Sequence, residues 1–277
     1  MKIGPLLLAL LLWLLPQLGH GDTARGRVVD ESTATVIPYV NIGIVRGERG
    51  TVSNENGDFY LDLTGVDSSA IVRFSFIGYE NYDVRAGDLG PNCSEFCEIE
   101  LTPKTIEMQK VVVYPREYKE KVVGNPHAPS MMQGGFTEDS LGYELGILVK
   151  LRKRPTILKT LTLHGIHTSY DSVFYRINVY EMADKTPGRN ILKEPIYITL
   201  TDFKQGADIS IDLTPYHLLV QDDFVITLEY VKELGEGDLT FSTGIFNGKL
   251  FYRKTSQADW LSAPFGLGMS LFIRYQK

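Results

Sequence analysis

Thr51-Val52-Ser53-Asn54-Glu55-Asn56-Gly57-Asp58-Phe59 decides how this chain folds. Asparagine, aspartate and glycine crowd its middle, the residues with which a backbone turns back on itself. Gly57 takes the positive φ of such a turn at no steric cost. Beyond the turn, Phe59, Leu61 and Leu63 alternate with Tyr60, Asp62 and Thr64. The same period of two runs through Val40, Ile42 and Ile44 before it, and through Val72, Phe74 and Phe76 after it. Alternation of this kind, over several short runs, predicts half-buried antiparallel strands. Glu98–Leu101 adds one more strand, and no long helical period interrupts the series.

The turn belongs to an ordered set of motifs. Gly26-Arg27-Val28-Val29-Asp30 comes first, then Pro38-Tyr39-Val40-Asn41-Ile42, the turn itself, and Phe76-Ile77-Gly78-Tyr79. From about Arg25 to Leu101 the set resembles the carboxypeptidase regulatory-like domain family. The resemblance implies a small transthyretin-like β-sandwich, a docking module without catalytic residues, so none are assigned from it. Ile106–Tyr114 is similar to the segment joining this module to the plug of TonB-dependent outer-membrane receptors. Fewer residues follow Tyr114 than a barrel of about 22 strands requires. What the resemblance implies is therefore a cell-envelope protein of a Gram-negative bacterium, not the receptor.

The N-terminus agrees with that compartment. Lys2 precedes an apolar run from Ile3 to Leu15, Pro16 ends it, and Gly19 and Gly21 are small residues suited to cleavage before Asp22. The run is short for a bilayer, so residues 1–21 are expected to be a signal peptide. No later run reaches membrane length, so no transmembrane segment is expected in the mature chain. Lys plus Arg number 28 against 34 acids, a net charge of −6. That excludes nucleic acid as the expected partner, since phosphate binding rests on Lys and Arg. The two cysteines, Cys93 and Cys97, flank a stretch that a turn at Pro91-Asn92 could close. A local disulfide is expected in an oxidising compartment, and an incidental pair is the alternative.

Four segments follow: residues 1–21, a first sandwich over 22–103, a linker over 104–140 and a second domain over 141–277. The linker is rich in Pro and Gly, with Glu117–Val123 able to make a helical turn or two. After Tyr143 the alternation returns in about nine candidate strands, among them Ser172–Glu181 and Phe224–Val231, with Leu239–Thr243 and Lys249–Arg253 as separate strands. Pro187-Gly188 and Asn247-Gly248 read as turns, the latter as a hairpin. The fold class is all-β: a small transthyretin-like sandwich followed by a larger jelly-roll-like β-sandwich.

Chemistry is harder to find. His164 and His167 lie three apart on a predicted strand, so their rings face opposite ways and do not share an ion. Neither sits in the helical H-E-x-x-H pattern of a zinc protease. Asn54–Asp58 lacks the acids of a calcium loop, since Val52 and Leu63 stand at the key positions. His127 and His217 are isolated, and Ser242, Ser256 and Ser262 occupy no nucleophile elbow. Asp222-Asp223 and Glu233–Asp238 are acidic turns, and Phe265-Gly266-Leu267-Gly268 lacks the setting of a phosphate cradle. No catalytic residue, metal site or cofactor is assigned.

Phe174, Arg176, Asn178 and Tyr180 share one face of a strand, and Tyr252, Trp260 and Phe265 lie near the C-terminus. Phe174, Arg176, Tyr180, Tyr252 and Trp260 are thus candidates for a ligand platform, a glycan being the natural ligand. Packing within the core is the alternative for the same aromatics. The leading expectation is a non-enzymatic interaction or assembly subunit of the periplasm, outer membrane or cell surface, with a protein partner there. A glycan-binding module and a hydrolase with an unrecognised site are the alternatives.

Overall fold

The computed structural model describes residues 23–104, 117–126, 132–137, 139–152, 155–201 and 204–276, without the side chains of Phe246 and Asn247. The expected signal peptide, the Ile106–Tyr114 segment and His127 lie outside these residues.

The first module has two small sheets. Its strands are β1 (Thr23–Asp30), β2 (Asn41–Ile44), β3 (Gly50–Val52), β4 (Asp58–Asp62), β5 (Ile71–Ser75), β6 (Tyr82–Arg85) and β7 (Cys97–Leu101). One sheet has the order β4-β1-β7, the other β3-β2-β5-β6. The inward positions of the alternation, including Val28, Ile42, Leu61, Val72 and Phe74, form the core between them. One pairing departs from the antiparallel expectation, because β1 and β7 run parallel. Parallel neighbours need a crossover, and helix α1 (Ala86–Asn92) lies on it, burying Ala86 and Leu89. A disulfide joins Cys93, just past the helix, to Cys97 at the start of β7.

The motif residues have separable duties. Asn54 Oδ1 accepts from the backbone N–H groups of Asn56 and Asp58, and Gly57 sits at φ +74°, which closes the β3–β4 turn. Asp30 accepts from Ser32, Thr33 and, at 2.7 Å, the Tyr79 hydroxyl. The first and last motifs of the module are thereby tied together. Asn41 points the other way, out of the module.

The second domain is one hydrogen-bonded sheet of 13 strands folded over itself. Its strands are β8 (Tyr118–Gly124), β9 (Gln133–Phe136), β10 (Glu144–Val149), β11 (Thr156–Thr168), β12 (Ser172–Ala183), β13 (Thr186–Asn190), β14 (Ile196–Thr201), β15 (Ala207–Asp212), β16 (Leu219–Val220), β17 (Phe224–Tyr230), β18 (Leu239–Arg253), β19 (Leu261–Leu267) and β20 (Met269–Gln276). One layer carries β12-β17-β10-β18 with β13, β14 and β19; the other carries β11-β20-β8 with β15 and β16. They are stitched where the end of β11 pairs with the start of β18, His167 opposite Thr240. Val173, Tyr175, Ile177 and Val179 of β12 are fully buried between the layers with Leu161, Leu163 and Leu271.

Several local expectations fail for physical reasons. Pro187-Gly188 is strand, not turn. The turn comes before it, where Asp184 and Lys185 both take positive φ, the mark of a tight two-residue hairpin. Asn247-Gly248 is no hairpin either. Leu239–Arg253 is a single strand of 15 residues, and the dipeptide falls at an irregularity in its pairing with β19. Glu117–Val123 makes no helical turn, because Tyr118–Gly124 is zipped along β20 as an edge strand. The segment 104–140 therefore contributes two strands, β8 and β9, to the second sheet.

The Asp30–Tyr79 bond has a signature in pH. Bonds from Ser32 and Tyr79 hold the Asp30 carboxyl well below its usual range. Burial, then the bond to Asp30, pushes the Tyr79 phenol up to about 12 from 10.0. The folded chain therefore holds the phenolic proton more tightly than the unfolded one, so stability falls as pH rises from 10.0 through about 12. Asp30 acts oppositely: its contribution is present above the unfolded carboxylate range and is lost as pH falls through the depressed folded value. Chemical denaturation across pH is expected to show the Tyr79 decline in the parent chain and to lose it in Tyr79→Phe.

Candidate functional site

The outer face of the second domain's first layer holds the most unusual arrangement in the molecule. Strand register places Arg176 opposite Glu229, Glu229 opposite Glu144, and Glu144 opposite Arg253. Four charges thus stand in one row across β12, β17, β10 and β18, in the order plus, minus, minus, plus. An outward sheet face normally meets water. Here Arg176 is 2% exposed, Glu229 1% and Glu144 0%.

Hydrogen bonds make this burial tolerable. Glu229 accepts from Arg176 Nε at 3.0 Å and Nη2 at 2.7 Å, from Asn178 Nδ2 at 2.7 Å, and from Asn41 Nδ2. Glu144 accepts from Arg253 Nε at 2.9 Å, Asn178 Nδ2 at 2.9 Å, Tyr180 Oη at 3.2 Å and Thr227 Oγ1. Each carboxylate therefore meets about four donors, its full capacity. Asn178 gives one N–H to each, bridging the two like charges. Burial pushes the Glu144 carboxyl up against the pull of Arg253. Burial acts the same way on Glu229, but Arg176 and Arg253 outweigh it and hold that carboxyl low.

Two members of the network, Asn41 and Tyr39, come from the first module. Asn41 donates to Glu229 and to Ser256 Oγ at 3.0 Å, and accepts from Arg176. Arg176 Nη1 donates to the Tyr39 carbonyl at 2.7 Å. Tyr39 sits at φ +60°, a region costly for a bulky residue. Its ring packs on Phe174 and Tyr197, with centroids 5.1 and 5.3 Å away. Thr255-Ser256-Gln257, just past β18, presses into the first module. The Arg46 N–H donates to the Gln257 carbonyl at 2.9 Å, and Gln257 Nε2 donates to Ser75 Oγ at 2.7 Å. A Cβ on Gly43 would lie 2.3 Å from the Ser256 carbonyl oxygen, so only glycine fits that contact.

The predicted platform residues are thereby located. Arg176 and Tyr180 are in the buried network, and Phe174 is stacked on Tyr197 beneath Tyr39. Trp260 lies over the Arg253 guanidinium at 4.9 Å and edge-on to Tyr180. Tyr252 packs against the main core. The five do not form one open platform. Sequence reading missed Glu144, Glu229, Arg253 and Asn41 as a set. Each shows only as a polar residue in an alternating strand.

A second constellation lies on the other layer. His164 Nδ1 is 2.8 Å from Asp208 Oδ2, and its Nε2 is 2.7 Å from Ser270 Oγ. A ring protonated at Nδ1 donates to Asp208 and accepts from Ser270, the order of orienting carboxylate, base and nucleophile. Exposure runs the other way, with Ser270 buried in β20 and Asp208 mostly open. The nearby backbone N–H groups of His164, Gly268 and Asn125 are taken by the carbonyls of Gly268, Ser242 and Met269, not turned toward an oxyanion. The trio works as a clamp on β15, β11 and β20. His167 is exposed and His217 ends a short 3-10 turn at φ +49°. Among the described residues, no three His, Cys, Asp or Glu side chains gather as metal ligands.

Residues 24–113 match the CarboxypepD_reg-like domain family, and a further β-rich domain follows the match. None of the curated proteins compared matches the chain. Among solved structures, the VP2 subviral particle of infectious bursal disease virus aligns at 13% identity with a TM-score of 0.28. The structure of the Gx strain of that virus aligns at 11% with a TM-score of 0.26. In both, the alignment covers 92% of this chain but only 55% of the other.

Removing one partner of a buried ion pair strands the other charge, at a cost of about 3–5 kcal/mol. Arg176→Met is expected to destabilise the chain by that amount in urea titrations. Adding Glu229→Leu is expected to recover most of the loss, so the double variant should be more stable than Arg176→Met alone.

Proposed function

We propose that this is an exported, non-enzymatic cell-envelope protein that serves as an interaction or assembly subunit of an outer-membrane or surface complex. The first module's family is a non-catalytic fold. The Cys93–Cys97 disulfide suits an oxidising compartment, as does the leader-like residues 1–21. Docking through the charged row gives the two modules a fixed relation, which a scaffold needs.

One observation carries the reading. On the outer face of β20 and β8, Phe272 stands directly opposite Val122. They are 37% and 52% exposed, and Tyr118 at the end of the same strand is 43% exposed. Arg274 sits among them, bonded to Glu120 at 2.9 Å and lying over the Tyr118 ring at 6.0 Å. Apolar groups gathered on an open sheet face, around one ion pair, suit the surface of another protein.

Tagged protein purified from envelopes in mild detergent is expected to carry a stoichiometric partner. Phe272→Glu with Val122→Glu should release that partner without moving the melting temperature by more than a few degrees. Recovery of the parent chain alone, or an unchanged complex with the double variant, overturns the proposal.

A further inference from the structure

Between the two modules runs an open cleft of about 1110 Å³. Its floor lies over the charged row, with Arg176, Asn178 and Glu229 almost wholly buried beneath it and Arg253 slightly exposed. Strand β5 and the loop after it form one wall, and β13 with the loop before β17 forms the other. Pockets of roughly 300–1,000 Å³ already bury drug-sized ligands, so this space suits an extended ligand of several rings.

Two properties of the lining select the ligand. The first is a rim of side-chain amides: Asn81 and Gln221 are exposed on it and Asn190 and Gln257 line it, while the amides of Asn41 and Asn178 are spent within the charged row. The second is balanced charge. Arg73 is paired with Asp83, Arg176 with Glu229, Arg189 with Glu181 and Arg253 with Glu144. Lys104 is paired with Glu80, and Lys193 shares the lining with Asp222 and Asp223. A charged ligand finds no surplus of the opposite sign. An amide donates and accepts at once, as does a hydroxyl group. Ile77, Leu192 and Val220 provide apolar spots between the amides for C–H faces.

A peptide strand fits less well. The edge that borders the cleft is β13, whose Gly188, Arg189 and Asn190 line it. Pro187 removes a backbone donor from that edge, and its register with β12 breaks between Tyr180 and Met182. Both features blunt an edge against added strands.

We propose that the inter-module cleft binds a neutral oligosaccharide, held mainly by hydrogen bonds from side-chain amides. The site needs both modules, because Asn81 comes from the first and Gln221 from the second. It stands independently of the partner face on β20 and β8.

The test is isothermal calorimetry of the full chain with neutral oligosaccharides of two to six residues, in glucose-, mannose-, xylose- and N-acetylglucosamine-linked series. At least one series is expected to bind with a dissociation constant below about 1 mM. Asn81→Ala and Gln221→Ala, both at exposed rim positions, should each weaken that binding several-fold, and together at least tenfold, with unchanged melting temperature. Three results overturn the proposal: no series binds, binding survives the double rim variant, or binding is lost only on Trp260→Ala. Capture of a peptide where no sugar binds overturns it as well. Loss of a protein partner in the Phe272→Glu, Val122→Glu chain leaves this measurement untouched, so the two proposals fail separately.

Discussion

Two guanidinium groups and two carboxylates, kept dry in one row across four strands, set the terms for the molecule. Each ion taken out of water costs several kcal/mol, and the mutual attraction of the pairs offsets this only when the remaining hydrogen-bond sites are filled. The second domain fills those of Glu144 from its own residues. It does not do so for Glu229 and Arg176, which complete their sets with Asn41 and the Tyr39 carbonyl. The two modules are therefore coupled by a polar requirement more than by an apolar one. The left-handed Tyr39 and the clearance at Gly43 are local costs that this coupling sustains.

The family motifs take on physical meaning in this light. Asp30, Tyr79, Asn54 and Gly57 serve the module that carries them, through turns and the bond that joins its ends. Asn41 serves its neighbour. It lies in β2 beside Ile42, whose side chain is in the core, so alternation alone sends its amide outward toward β17. One strand thus holds a sandwich together with one face and recruits a second sandwich with the other.

Much of the architecture was legible in the residues. Period two located most strands of both domains; placing Phe174, Arg176, Asn178 and Tyr180 on one face of β12 leaves Val173, Tyr175, Ile177 and Val179 for the other, where they are buried in the core. What failed was local. Asn247-Gly248 has hairpin chemistry, but it is taken up as an irregularity between two paired stretches of β18, Thr243–Ile245 and Leu250–Tyr252. Pro187 reads as a turn residue, yet an edge strand tolerates it because the missing N–H faces away from the ladder. The charged row could not be read at all. Arg176, Glu229, Glu144 and Arg253 are far apart in sequence, and only the order β12-β17-β10-β18 brings them abreast. The same holds for His164, Asp208 and Ser270, which three different strands supply.

The placement of β8 governs how the molecule bears load. It is the first strand of the second domain and lies against the last, with Tyr118 opposite Gln276. In an antiparallel pair these two positions are at the same end. Tension between the chain entering at Tyr118 and an anchor at Gln276 opens the ladder one rung after another, like a zipper, and does not shear all rungs together. Force arriving from that direction peels away a single edge strand, while the dry ionic row, three strands inward, is spared.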